Sequence, residues 1–199
     1  KVQDHLNKHE AVRTLNLSDE EREILKPYPF LTSKKVLYAA NVSEKDLPDM
    51  DNEYVKQVRS YAEKHGDQVI PICAKLEEEI SRLAEEERAE YLESLGLHES
   101  GLQRLAKASF KLLGLITFLT TGEIETRAWT IHEGTSAAVA AGEIHTDIQK
   151  GFVRAEVITY EDMIAFGGRH KAKEQGKMRA EGRDYIVQDG DVILFLHNK

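Results

Sequence analysis

The chain has 199 residues, 41% hydrophobic and 31% charged, enough for one large or two small globular domains. A formal net charge of −8 excludes wholesale nucleic-acid binding and leaves room only for a local basic patch. The single cysteine, Cys73, excludes an internal disulfide and a cysteine-rich zinc site and points to a reducing, cytoplasmic compartment; no apolar run is long enough to span a membrane, and Lys1-Val2-Gln3-Asp4 does not open a signal peptide.

In chain order, Val2, Leu6 and Leu15 stand among charges, the pattern expected for the end of a longer amphipathic helix. Ser18 with Glu21 three residues on predicts a capping box and a short helix to about Lys26, ended by Pro27 and Pro29. Val36–Ala40 and Val69–Ile72 are short apolar runs of the kind that form buried parallel strands. Between them, a polar loop over 45–51 leads to a helix capped by Asn52 and carrying Tyr54, Val55, Val58 and Ala62, with Gly66 just past its end. Strand, helix, strand is half of a doubly wound sheet. One helix is expected from Lys75 to about Leu95, on Leu76, Ile80, Leu83, Leu92 and Leu95. Its eight glutamates against three basic residues read as a solvated face. A second helix, capped by Ser100, should turn Leu102, Leu105, Ala106 and Leu112 inward and end near Gly114.

The texture changes at Leu115. Residues 115–120 and 126–131 predict a hairpin turned at Gly122, Thr135 a cap for an alanine-rich helix to about Ala141, and 152–158 a third strand. Thr159 should cap a brief helix, and 185–187 and 192–196 should flank the turn 188–191. A hairpin, a crossing helix and further strands in this space describe a β-grasp, ubiquitin-like module.

The motifs that carry chemistry are few. There is no P-loop, no dinucleotide fingerprint, no nucleophile elbow and no zinc-protease helix. His145 stands out, though a lone histidine is more often structural, and Cys73 reads as an inert buried thiol. Residues 166–183 form a glycine-interrupted basic tract, Arg169, Lys171, Lys173, Lys177, Arg179 and Arg183, which reads either as a phosphate-backbone contact or as a solubilising loop. The sharpest pair is Asn41-Val42-Ser43-Glu44 after one strand and Cys73-Ala74-Lys75 after the next. Ligands of open α/β sheets sit at the carboxyl ends of strands, and this pair is similar to the one by which P-loop nucleotidases hold a base. A carboxylate only accepts hydrogen bonds, whereas Asn donates and accepts. GTP-binding proteins carry Asn-Lys-x-Asp here; Glu44 is one methylene longer and Val42 replaces the lysine, which favours adenine over guanine. The bland reading is an ordinary strand followed by a polar helix start.

Taken with Arg127–Ile131, Ala141–Asp147, Lys150-Gly151-Phe152, Gly176–Gly182, Asp184–Val187 and Asp189-Gly190-Asp191, these motifs make the whole chain resemble the YchF family, the Obg-like ATPases of the translation-factor GTPase class. The resemblance implies an α/β part followed by an α+β part. Residues 1–26 would be the end of a helical insertion, 27–114 the C-terminal part of a P-loop nucleotidase domain with linking helices, and 115–199 a β-grasp TGS domain. It implies ATP as ligand, with Asn41, Val42 and Glu44 around adenine and Cys73, Ala74 and Lys75 as the supporting loop, and binding to ribosomes. The family's P-loop, its Mg²⁺-holding switch residues and its catalytic histidine would precede Lys1, so the chain alone is expected to hydrolyse ATP negligibly, with no catalytic residue or metal ligand of its own and Mg²⁺ confined to the full-length parent. The second reading is a non-catalytic RNA- or ribosome-binding module; a synthetase or stringent-factor TGS fragment would leave Asn41–Glu44 without a place. A half sheet leaves an open edge, so pairing with another copy, or with residues beyond this sequence, is expected.

Overall fold

The computed structural model describes residues 1–122 and 125–198; Glu123 and Ile124, in the expected hairpin turn, and Lys199 lie outside the described residues. The chain divides into two units, Lys1–Leu113 and Gly114–Lys199.

In the first unit the N-terminal helix is shorter than expected. α1 covers Val2–Asn7, a 3-10 turn at Val12–Thr14 follows, and Val12 is buried. Arg13 fixes this segment to the approach to the second strand by a bidentate pair with Asp67, both contacts 2.9 Å, and that hydrogen bonding raises the arginine above its usual value. α2 (Asp19–Leu25) starts with the Ser18/Glu21 capping box in full. β1 (Leu37–Asn41) and β2 (Gln68–Ile72) pair parallel, Leu37 with Gln68 through Asn41 with Ile72, so both strands end at the same level. α3 (Glu53–His65) joins them; Asn52 accepts from the backbone N–H of Tyr54 and Val55, and Gly66 takes the left-handed conformation that ends the helix. Val55 and Ala62 are buried and Tyr54 is exposed.

The predicted single helix over 75–95 is two: α4 (Ala74–Arg82) and α5 (Glu85–Ser94), separated by Leu83 and Ala84 in extended conformation. A straight helix would set Leu92 roughly 24 Å along the axis from Leu76. The break lets both enter one core with Val42, Met50, Val55, Cys73 and Ile80. α6 (Gly101–Leu113) covers the outer edge of β2, where Pro71 has no N–H to offer and its carbonyl accepts from Arg104 Nη2 at 3.0 Å. Ser100 caps α6 as expected, but Leu102 and Ala106 face outward.

Glu77 of α4 reaches the same helix start. Its buried carboxylate accepts from Gly101 N at 2.7 Å and Leu102 N at 3.1 Å, meeting two of the donors that a helix N-terminus leaves unpaired. A side chain at Gly101 would come within 2.6 Å of Ile72, so this close approach requires glycine. Glu77→Ala is expected to destabilise the first unit by about 2 kcal/mol, since bonds to a charged acceptor are among the stronger ones; urea unfolding measures it, and an unchanged midpoint would show the two contacts to be energetically idle.

The second unit is a five-stranded sheet of order β4-β3-β7-β5-β6. β3 (Leu115–Thr121) and β4 (Thr126–His132) form the hairpin; β5 (Phe152–Thr159) pairs antiparallel with β6 (Arg179–Glu181) and with β7 (Asp191–His197), and β3 meets β7 in parallel. α7 (Ala137–Ile144) lays Ala137, Ala138, Ala140 and Ala141 against Phe118, Ile131, Val157, Ile193 and Phe195. Small side chains let the helix approach the sheet closely. α8 (Thr146–Lys150), α9 (Tyr160–Ala165) and α10 (Arg169–Glu174) complete the unit, α9 capped by Thr159 as predicted.

Three expectations are corrected. The cap of α7 is Ser136, because the Thr135 hydroxyl donates to His132 O at 2.6 Å. Tyr185–Val187 makes only an isolated bridge from Ile186 to Ser136; Tyr185 instead donates to the buried Asp191 carboxylate at 2.7 Å. The glycine-interrupted tract 166–183, expected to be without regular structure under its solubilising-loop reading, holds α10 and β6. Asp191 also accepts from Gln188 N at 2.9 Å and faces Arg179 at 3.6 Å, while burial and then the bond to Asp191 raise the Tyr185 hydroxyl. Asp191→Ala strips a buried turn of its acceptor and is expected to cost about 3 kcal/mol, read from Trp129 fluorescence during urea unfolding; a loss below a quarter of that would contradict this role.

Candidate functional site

In-register parallel pairing is what builds the site. Because β1 and β2 stop together, the residues after Asn41 and after Ile72 emerge side by side, and Val42 N extends the ladder by one bond to Ile72 O, 2.9 Å. Val42 and Cys73 then turn into the core, both buried, where Cys73 has no cysteine to pair with. Ser43 caps a 3-10 turn, Glu44–Asp46, in reciprocal bonding with Asp46, which sets Glu44 at the head of that turn.

The polar atoms converge. Asn41 Oδ1 accepts from Ala74 N, the first residue of α4, at 3.0 Å, leaving the Nδ2 donors of Asn41 free of that bond. Glu44 Oε2 takes Lys75 Nζ at 2.8 Å, and the lysine lies 3.8 Å from Glu79 one turn on. Glu79 accepts from Tyr91 OH of α5 at 2.8 Å. Hydrogen bonding to Glu44, then its charge, raises the ammonium of Lys75; the bond to Glu79, then burial, raises Tyr91. Asn41, Glu44, Ala74 and Lys75 are thus brought together at the surface, with Val42 and Cys73 as the floor beneath. Glu79 and Tyr91 belong to the network although the glutamate-rich stretch reads as a solvated face. The available signal was the spacing of Lys75 and Glu79, four apart on a helix; the reach of Tyr91 depends on the break at Leu83-Ala84.

Chemically, the cluster presents amide donors at Asn41 and a carboxylate at Glu44 a few ångströms from a helix start, an arrangement able to read the edge of a planar heterocycle. Among the described residues no group of three or more His, Cys, Asp or Glu is placed to hold a metal ion.

The basic tract is dispersed. Lys177 pairs with Asp162 at 3.4 Å, Arg179 with Glu181 and Asp191, and Arg183 donates to Phe152 O and lies over its ring. Burial lowers Arg169 from its ordinary value, and its Nη2 is buried without a partner. Lys171 and Lys173, exposed on α10, have no ion pair among the described residues. His145 caps α8, its Nδ1 accepting Asp147 N at 3.1 Å, so the structural reading of that histidine has a concrete basis. No helix is long and apolar enough to cross a membrane among the described residues.

Residues 115–198 match the family YchF-GTPase_C, described as a protein of unknown function (DUF933). The chain is 47% identical over its full length to the Ribosome-binding ATPase YchF of Bacillus subtilis and 51% identical over 187 residues to that of Escherichia coli O157:H7, covering 54% and 51% of those proteins. The solved YchF GTPase of Schizosaccharomyces pombe is similar with a TM-score of 0.83 at 32% identity, over 98% of this chain and 52% of that one. The chain therefore spans about half the length of the relatives it matches.

Asn41→Ala removes the acceptor of Ala74 N and is expected to speed amide exchange at Ala74 and Lys75 by about tenfold, equivalent to one ordinary hydrogen bond; exchange at the wild-type rate would show that Asn41 does not hold the α4 start.

Proposed function

Given that the chain belongs to the YchF family, we propose that it is the base-binding and C-terminal half of an ATPase that works on ribosomes in the cytoplasm. Asn41, Val42 and Glu44, with Cys73, Ala74 and Lys75 as the supporting loop, hold adenine. The Asn41 amide donates to a ring nitrogen and Glu44 accepts from the exocyclic amine. One observation carries this reading: the two strand ends meet with Asn41 bonded to Ala74 and Glu44 to Lys75. The first unit is then the carboxyl-terminal part of a P-loop nucleotidase sheet with its linking helices, and the second a TGS-type β-grasp. On this reading β1, which has β2 on one side only among the described residues, pairs along its other edge with a strand from outside this sequence or from a second copy.

No phosphate-cradling loop exists in the sequence, so base contacts alone give weak affinity, on the order of millimolar, and hydrolysis is negligible; Mg²⁺ belongs with the phosphate-binding half of the parent protein. Titrating the ¹⁵N-labelled chain with ATP is expected to move the amides of residues 41–45 and 73–77. Movement confined to other residues overturns the assignment, and turnover at a rate typical of an ATPase overturns the expectation of inactivity.

Ribosome association is assigned to the second unit, with Lys171 and Lys173 of α10, which have no ion pair among the described residues, as contacts. Lys171→Glu with Lys173→Glu is expected to reduce co-sedimentation with ribosomes and to lower the slope of log affinity against log salt by about two. Unchanged sedimentation would remove α10 from the interface.

A further inference from the structure

We infer that the outer edge of β4 pairs with β4 of a second copy of this chain, antiparallel about Thr130, with Arg127 set opposite the partner's Glu133. β4 ends the sheet of the second unit and has only β3 beside it among the described residues. Its pairing with β3 runs from Thr126/Thr121 to His132/Leu115 without a shift. In an antiparallel pair, alternate residues turn their N–H and C=O toward the neighbouring strand. Glu133 N donates to Gly114 O at 2.9 Å and Gly122 N to Glu125 O at 2.8 Å, so the odd-numbered residues bond β3. The backbone groups of Thr126, Ala128, Thr130 and His132 therefore point outward, and all four residues are exposed. Among the described residues, the one of these groups bonded within the chain is His132 O, which accepts from Thr135 N at 3.2 Å and Thr135 Oγ1 at 2.6 Å.

Sheets blunt such edges with lysine, proline, a bulge or brevity. β6, the opposite edge, is blunted: it has three residues, two of them charged. β4 has seven residues and none of these devices; its one permanent charge, Arg127, lies over the Trp129 ring, 4.1 Å from the centroid. Charge complementarity then selects the occupant and the register. With Thr130 on a two-fold axis, Thr130 exchanges both backbone bonds with the partner's Thr130, and His132 N reaches the partner's Ala128 O on each side. On the α7 face, Arg127 stands opposite the partner's Glu133 and Trp129 opposite the partner's Ile131. Opposite charges and aromatic–β-branched pairs both favour cross-strand pairing, and the symmetry makes each pair twice. Moving the axis to Trp129 would set Glu125 against the partner's Glu133, and like charges directly opposite are destabilising. The strand is self-complementary in the register centred on Thr130.

The test is amide hydrogen exchange of the ¹⁵N-labelled 199-residue chain, read at Ala128 and Thr130, for wild type, Arg127→Glu, and Arg127→Glu combined with Glu133→Arg. These two amides report on β4 alone, whatever β1 pairs with. An interface of one strand edge is small. Exchange in the wild type is expected to slow roughly fourfold between about 10 µM and about 1 mM protein, the change in free monomer for a dissociation constant on the order of 100 µM. Arg127→Glu opposes like charges twice and should raise that constant about tenfold; the charge-swapped double variant should restore it. Fast exchange at every concentration overturns the second copy as occupant. Slow exchange at every concentration does so too, because a segment of the same chain would then cover the edge. Slowing with concentration that Arg127→Glu leaves intact, or that the double variant fails to restore, overturns the register and the inference with it.

Discussion

Parallel pairing in strict register between β1 and β2 is the constraint from which the first unit follows. Its five paired positions run without a bulge from Leu37/Gln68 to Asn41/Ile72. A slip of one residue would exchange inward and outward side chains on one strand. It would also separate Asn41 from Ala74, ending the bond that starts α4. The register is held at both ends: the Arg13–Asp67 pair fixes the approach to β2, and the extra Val42–Ile72 bond closes the far end. α6 then seals the edge where Pro71 interrupts the N–H ladder, and Glu77 links α6 back to α4. The surface cluster at Asn41 and Glu44 rests on a scaffold bonded on three sides.

Local chemistry made much of this legible. Ser18 with Glu21, Asn52 with Gly66, and Ser100 each specify a helix end through a bond the backbone cannot make for itself, and each is found where the sequence puts it. The break between α4 and α5 is different in kind. Neither Leu83 nor Ala84 disfavours helix, and Leu92 and Leu95 continue the apolar spacing; the local mark is faint, three acids in the first turn of α5 with Glu87 accepting from Ala84 N at 3.3 Å. The break arises because Leu76 and Leu92 are drawn into one core, a tertiary demand that overrides propensity. The exposure of Leu102 and Ala106 has the same origin: periodicity identifies an apolar stripe but not its width.

In the second unit the strands with alternating or continuous apolar character were readable and the polar ones were not. β6 is Arg179-Ala180-Glu181, which carries no strand signature and is a strand because β5 offers it an edge. Tyr185–Val187 carries a good signature but is taken up by Asp191, Ser136 and Thr135 instead. The same competition dispersed the basic tract. Sequence counts six cations in a row of neighbours, whereas folding hands Lys177, Arg179 and Arg183 to partners inside the unit and half buries Arg169. Charge density along a chain is an upper bound on charge available to a partner.

The glutamate-rich segment shows why a solvated face and a working network are not alternatives. Glu78 and Glu85 to Glu87 face solvent, as the sequence suggests, while Glu77 turns inward to α6 and Glu79 turns toward Lys75. These three neighbours in sequence meet three different fates because successive residues on a helix point about a hundred degrees apart. An acidic surface would by itself repel a nucleotide, whose phosphates are anionic. A lysine set between Glu44 and Glu79 neutralises part of that field at the ends of β1 and β2. Positive charge close to Glu44 thus offsets part of the acidic field of α4 and α5 at the ends of β1 and β2.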